Sequence, residues 1–265
     1  MELELLKGLC QAEYAAISRL SPAAYREVIR IGAGGDQTKM IDQVAEQAAI
    51  AFLESKGFKG RLLSEELGEK GFGAQDYPLI VLDPIDGTTN ASRGISFYSI
   101  SAAISSGPRL SDVYAGTVME LPSKRVFSAE RGGGAYLDNN KIAVKELQSL
   151  HEGIIGIDLN VMGNRQKLGE MIPLCLHVRH MRNMGSAALE MCYVAFGGLD
   201  MYADNRGLLR VTDIAASHIV LKEAGATVLN LKGEPLDCEL NLKERVSLVA
   251  GPMKTCQEAL RIMKS

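Results

Sequence analysis

The chain has 265 residues, 46% of them apolar, which suits one large domain or two tightly packed ones and is too many for a disordered chain. Lysine plus arginine is 29 against 32 aspartates and glutamates, and the resulting net charge of −3 argues against a nucleic-acid scavenger or a polybasic membrane-surface protein. The longest apolar runs, such as Pro78–Leu82, fall far short of the ~20 residues of a spanning helix, and the N-terminus lacks the basic start and long apolar stretch of a signal peptide.

Residues 1–19 read as a helix, with Leu3, Leu6, Leu9, Cys10, Ala16 and Ile17 near helical spacing. A glycine turn, Gly32-Ala-Gly-Gly35, leads to a second helix from Lys39 to Ser55, stopped by Gly57 and Gly60. Short strands are predicted at 61–64, 98–104, 113–119 and 125–129, with a turn at 131–135. Leu79–Asp83 is a continuous apolar run ending on an acid, as a strand buried on both faces would be, and Pro84 is expected to stop it. Beyond a soft boundary near residue 145 come a strand at 153–158, a helix at 164–175 interrupted by Pro173, a helix at 186–196 and a strand at 199–203. A helix at 212–224, a strand at 246–250 and a closing helix at 253–263 follow. The blocks of helices and strands indicate a layered α/β or α+β architecture, divided as 1–145 and 146–265. The five cysteines have no zinc-finger or redox spacing and are expected to be buried thiols in a reducing cytoplasm.

The chemistry concentrates where the apolar strand ends, in Asp83-Pro-Ile-Asp-Gly-Thr-Thr-Asn90. Pro84 and Gly87 let the turn fold Asp83 and Asp86 towards a common point. Two carboxylates held together repel unless a cation lies between them, and hard oxygen ligands suit Mg²⁺ or Mn²⁺. Gly87, Thr88 and Thr89 then offer backbone N–H groups and hydroxyls that can cradle a phosphate, the more so if a helix starts there. A plain Asp-Gly turn would explain Asp86-Gly87 but not the buried lead-in, the second acid and the tail together. The acids stand three apart, whereas haloacid-dehalogenase-type phosphatases use Asp-x-Asp, so that chemistry is disfavoured.

This segment resembles the signature of the inositol monophosphatase family of magnesium-dependent phosphatases. Ser64-Glu65-Glu66, Gly185-Ser-Ala-Ala-Leu-Glu190 and Thr212-Asp213-Ile-Ala-Ala-Ser217 resemble further family segments in the right order, over roughly residues 36–220. Thr212 stands where the family has tryptophan, and Ser217 where it has glycine. The resemblance implies an α/β/α/β/α sandwich, commonly a homodimer, with the metal site between two subdomains. It implies that Glu65, Asp83 and the Ile85 carbonyl bind a first Mg²⁺, and that Asp83, Asp86 and Asp213 bind a second. A third, weaker ion belongs near Glu65, and Mn²⁺ is an alternative. One of Glu65 and Glu66 is expected to be a primary ligand. Thr88, polarised by Asp42, would hold the water that attacks phosphorus in line, and Glu65 counts among the catalytic residues.

Asp86, Gly87, Thr88, Arg182, Ala187 and Arg206 are the expected substrate contacts, Arg206 for a second phosphate. The segment 199–213 and Ile31-Gly-Ala-Gly-Gly-Asp36 are closer to archaeal-type enzymes that hydrolyse both fructose 1,6-bisphosphate and inositol 1-phosphate. The leading expectation is therefore a dual sugar-phosphate phosphatase acting on a small phosphate ester. An adenosine 3′,5′-bisphosphate nucleotidase and a catalytically silent phosphosugar-binding protein are the alternatives. None of the four histidines shows ligand spacing, and none is expected to be catalytic.

Overall fold

The structure is a computed structural model that describes residues 2–33 and 37–264. In chain order its elements are α1 (Glu2–Ile17), β1 (Val28–Ile31), β2 (Gln37–Lys39), α2 (Met40–Ser55), β3 (Gly60–Ser64), β4 (Gly68–Phe72), β5 (Leu79–Asp86), α3 (Thr88–Arg93), β6 (Ser99–Ser105), β7 (Val113–Glu120) and β8 (Val126–Glu130). There follow β9 (Gly134–Leu137), β10 (Asn140–Ile142), β11 (Ile154–Ile157), α4 (Arg165–His177), β12 (His180–Arg182), α5 (Ala187–Phe196), β13 (Met201–Leu209), α6 (Val211–Glu223), β14 (Thr227–Leu229), β15 (Val246–Gly251) and α7 (Met253–Ile262). Of the glycine turn expected at 32–35, Gly34 and Gly35 lie outside the described residues.

Eight strands form a sheet in the order β10-β9-β8-β7-β6-β5-β3-β4, and five form a second in the order β12-β11-β13-β15-β14. Strand β5 shows why its run is apolar throughout. Ile80 and Leu82 point into a core shared with α1 and α2, while Leu79 and Val81 point into the opposite core. That second core holds α5 and α6 between the two sheets, and α4 and α7 cover the far face of the smaller sheet. The layers therefore run α/β/α/β/α, as the resemblance implied. Every residue of α6 from Val211 to Leu221 is buried, as a helix between two sheets requires. Gly116 of β7 permits this approach, because a Cβ there would lie 2.8 Å from the Ala216 carbonyl oxygen.

Three expectations need correction. Pro84 does not end β5, which continues to Asp86 through a register break: Asp83 pairs with Ser101 and Asp86 with Ser99, so three steps oppose two. A proline is tolerated in a strand at such a bulge. Pro173 does not interrupt α4, because Gly169, whose carbonyl loses its partner, is exposed to solvent. Strand β13 runs to Leu209 rather than ending at Ala203, which puts Arg206 on a strand. All five cysteines are unpaired thiols, four of them buried, and no helix among the described residues is long and apolar enough to cross a membrane.

Candidate active site

The bulge in β5 explains how two acids three apart meet. In a regular strand they would face opposite ways; the extra residue restores them to one side. Both line a cavity of about 530 Å³, with Glu65 from the end of β3 and Asp213 from the first turn of α6. Oxygens of Glu65, Asp83 and Asp213 all lie within 4.8 Å of one another.

Each acid is fixed by a local device. Asp83 accepts the Ile85 N–H at 3.0 Å. Asp86 accepts the Ser186 hydroxyl at 2.6 Å and the Ala188 N–H at 2.8 Å, which ties it to the start of α5. Asp213 reaches back from the third residue of α6 to the Arg210 N–H at 2.9 Å and accepts the Thr212 hydroxyl at 3.2 Å. Glu65 pairs with Arg210 at 2.8 Å.

Burial is the first cause of strain here, and mutual repulsion adds to it. Burial and Asp213 push Glu65 up to about 8, against the opposing pull of Arg210. Burial and Asp213 push Asp86 up to about 7, although its hydrogen bonds act the other way. Asp83 is raised well above the usual carboxylate range by burial and by Glu65, Asp86 and Asp213. A divalent cation would relieve what the protein's own cations do not. The donor set is hard oxygen throughout, the three carboxylates with the Ile85 carbonyl on the same cavity wall, and it fits such an ion.

Beside the cluster, Gly87 takes a left-handed φ of +93° and α3 begins at Thr88. The Thr88 hydroxyl lies 3.0 Å from Asp42 Oδ1 and 2.8 Å from the Ile85 carbonyl. Asp42 Oδ2 accepts the Lys39 N–H at 2.7 Å. Burial raises Asp42 to about 7, with Glu66 adding to the shift and the Lys39 and Thr88 bonds opposing it.

A family model described as the inositol monophosphatase family matches residues 3–262. The chain belongs to the inositol monophosphatase family. By that membership it is a phosphate-ester hydrolase, and enzymes of the family are metal-dependent. It is 40% identical over 233 residues to a fructose-1,6-bisphosphatase/inositol-1-monophosphatase of Methanothermobacter thermautotrophicus, covering 84% of this chain and 82% of the relative. It is 37% identical over 252 residues to a bifunctional NADP phosphatase/NAD kinase of Methanocaldococcus jannaschii, covering 84% of this chain but 43% of that protein. Among solved structures it is similar to the extragenic suppressor protein suhB of Bartonella henselae, with TM-score 0.83, 26% identity, and 99% and 98% of the two chains covered.

The remaining expected site residues of this inositol monophosphatase-family chain divide. Glu66 lines the cavity too, but it stands outside the three-carboxylate group and accepts the Thr38 hydroxyl. Arg206 also reaches the cavity wall, held by Asp158 at 2.7 Å and Asp204 at 2.6 Å, so its charge is already compensated. Arg182 is exposed on β12, outside the cavity lining, and its guanidinium meets the Met181 carbonyl. Ala187 is also absent from the lining; its backbone N–H faces Asp86. No histidine lines the cavity, and buried His218 is lowered to about 4 by burial. Thr89, expected in the phosphate cradle, lines it, as does Gly185 of the family-like segment; Gln37 and Lys39 line it without having been singled out, and Ser186 anchors Asp86. Ser186 carried two signals, its place in the Gly185-Ser-Ala-Ala segment and a hydroxyl at the start of a helix.

Proposed function

We propose that the chain is a Mg²⁺-dependent phosphomonoesterase of sugar phosphates that hydrolyses both fructose 1,6-bisphosphate and inositol 1-phosphate. The observation that carries this reading is the convergence of Glu65, Asp83 and Asp213, from three distant segments, within 4.8 Å beside the Gly87–Thr89 turn. Glu65, Asp83 and the Ile85 carbonyl would hold one Mg²⁺, and Asp83, Asp86 and Asp213 another; a third belongs near Glu65, and Mn²⁺ can replace it. Bound divalent ions supply Lewis-acid neutralisation of the phosphoryl group and activation of a water.

The chain's own residues do the positioning. The Thr88 hydroxyl lines the cavity and has one proton for two acceptors, Asp42 and the Ile85 carbonyl, so it donates to one of them and keeps its oxygen lone pairs to accept a water's hydrogen. That orients the water for in-line attack on a phosphoryl group held by the N–H groups of the Gly87–Thr89 turn. Ser186 and Ala188 keep Asp86 fixed while charge moves past it.

One observation favours a second ester, the 2′-phosphate of NADP: the 37% identity to a relative whose name includes that activity. The division at residue 145 is supported by the gap between the two sheets, from Ile142 to Ile154. The family supports a homodimer and the unpaired thiols favour a reducing cytoplasm, which light scattering and cell fractionation check.

A phosphate-release panel of fructose 1,6-bisphosphate, inositol 1-phosphate, NADP⁺ and adenosine 3′,5′-bisphosphate, with Mg²⁺ and with EDTA, is the test. Release from the two sugar esters only with Mg²⁺ is expected. Release from adenosine 3′,5′-bisphosphate alone overturns the substrate class, and release from none overturns the enzyme.

A further inference from the structure

Glu190 breaks the apolar pattern of α5 and takes no part in the chemistry above. It is buried with Leu189, Met191, Cys192 and Val194 on a helix that lies between the two sheets. Taking a carboxyl group out of water is costly. Burial raises Glu190 to about 8 against the pull of the Met184 and Gly185 N–H groups, and Asp158 and Asp86 add to the rise. The fold leaves room for the group all the same: a Cβ at Gly156 of β11 would lie 2.8 Å from its Oε2, which has no hydrogen-bond partner. The other oxygen, Oε1, accepts the Met184 N–H at 3.2 Å and the Gly185 N–H at 3.1 Å. Rules of burial are broken in this way chiefly where function requires it.

Met184 and Gly185 begin a strap, 184–188, that crosses from the second half of the chain to the metal-binding turn of the first. The Met184 carbonyl accepts the Asn90 amide of α3 at 2.6 Å. The Gly185 carbonyl closes over Gly87. The Ser186 hydroxyl and the Ala188 N–H both donate to Asp86. An N-cap hydroxyl ordinarily accepts an N–H of its own helix. That of Ser186 makes no such bond and is directed to Asp86 instead. The lead-in to α5 is held by Glu190, which reaches back from the fourth residue of the helix. Without that hold, a solvent-exposed segment with Gly185 at φ +77° has little to keep it in place.

We propose that Glu190 is a positioning residue for metal binding: by fixing the 184–188 strap it sets Ser186 and Ala188 on Asp86, and so raises the affinity of the carboxylate cluster for its divalent ion. The proposal rests on the reading of Asp86 as a metal ligand. Groups that hold a ligand from behind change metal affinity or activity by about 10–100-fold when removed. A residue that only capped α5 would change stability and leave metal affinity alone.

Three variants make the test. Glu190→Met keeps the volume and removes the acceptor, and the freed Met184 and Gly185 N–H groups can turn to water because neither residue is buried. Glu190→Asp keeps the acid but draws it back by one methylene, and it carries the test should Glu190→Met fail to fold. Glu190→Gln keeps the length and one acceptor oxygen. Mg²⁺ is titrated against melting temperature, kcat is measured at saturating Mg²⁺, and amide hydrogen exchange is followed at Met184 and Gly185 without metal. In Glu190→Met and Glu190→Asp the Mg²⁺ midpoint should rise about tenfold, kcat should fall about tenfold, and both amides should exchange faster. Glu190→Gln should restore most of all three. A parental Mg²⁺ midpoint in the first two variants, whatever their melting temperature in EDTA, overturns the proposal, as does a loss that Glu190→Gln leaves unrestored. A parent whose melting does not respond to Mg²⁺ would instead overturn the metal reading itself, with amide exchange still reporting whether Glu190 holds the strap.

Discussion

Asp83→Asn should make the metal-free protein more stable and the enzyme inactive. Asparagine keeps the volume of the side chain and the oxygen that accepts the Ile85 N–H at 3.0 Å, so what changes is charge. Two full charges at the 4.8 Å limit of the cluster repel by about 3.5 kcal/mol at an effective dielectric constant of about 20. At pH 7 the cluster still holds protons, since Glu65 is raised to about 8 and Asp86 to about 7. Partial protonation leaves a relief of about 1–3 kcal/mol, or roughly 2–10 °C in Tm for a domain of this size. The folded state therefore holds protons that the unfolded chain has released. The contribution of these acids to metal-free stability is greatest below the ordinary carboxylate values and falls as pH rises to the 7–8 window, so the gain from Asp83→Asn grows over the same range. Thermal denaturation in EDTA and in Mg²⁺, at pH 4.5 and pH 8, reads all of this. The parent should gain stability from Mg²⁺ at pH 8 while the variant does not, and kcat should fall by about 10³ or more. A variant less stable than its parent in EDTA, or one that keeps the Mg²⁺-dependent shift, would refute the reasoning.

Thr88→Val should lower kcat by about 10²–10³ with KM little changed, because the hydroxyl acts on the attacking water; Thr88→Ser should restore most of it, and Asp42→Asn should give a smaller loss in the same parameter. Gly87→Ala should cost about 1–2 kcal/mol of stability and raise KM, since φ is +93° and the new Cβ would lie 3.1 Å from the Gly185 carbonyl oxygen; a parental melting curve and KM would show that the turn tolerates a side chain. Glu13 is fully buried with both oxygens unpartnered, and burial, then Glu46, raise it well above its ordinary 4.5. Glu13→Gln should therefore stabilise by an amount that grows by up to about 1.4 kcal/mol per pH unit above that value and vanishes near pH 4; a gain independent of pH in urea titrations would contradict it.

What was legible in the sequence follows from where each signal resides. Leu79–Leu82 could be read because a strand buried on both faces has no polar alternation to obscure it, and α2, α5 and α6 because each repeats an apolar stripe or is apolar throughout. Asp83 and Asp86 were legible because two acids at the end of an otherwise apolar strand have no packing reason to be there, whereas Glu65 and Asp213 entered only through the resemblance of their segments to the family's. The bulge at Pro84 was not, since a register break depends on the partner strand β6. Nor was the extension of β13, because Asn205, Arg206 and Gly207 break the apolar run after Ala203 and it is Asp158 and Asp204 that hold the arginine. Strands β1, β2 and β12, each three or four residues long, carry too little periodicity to detect.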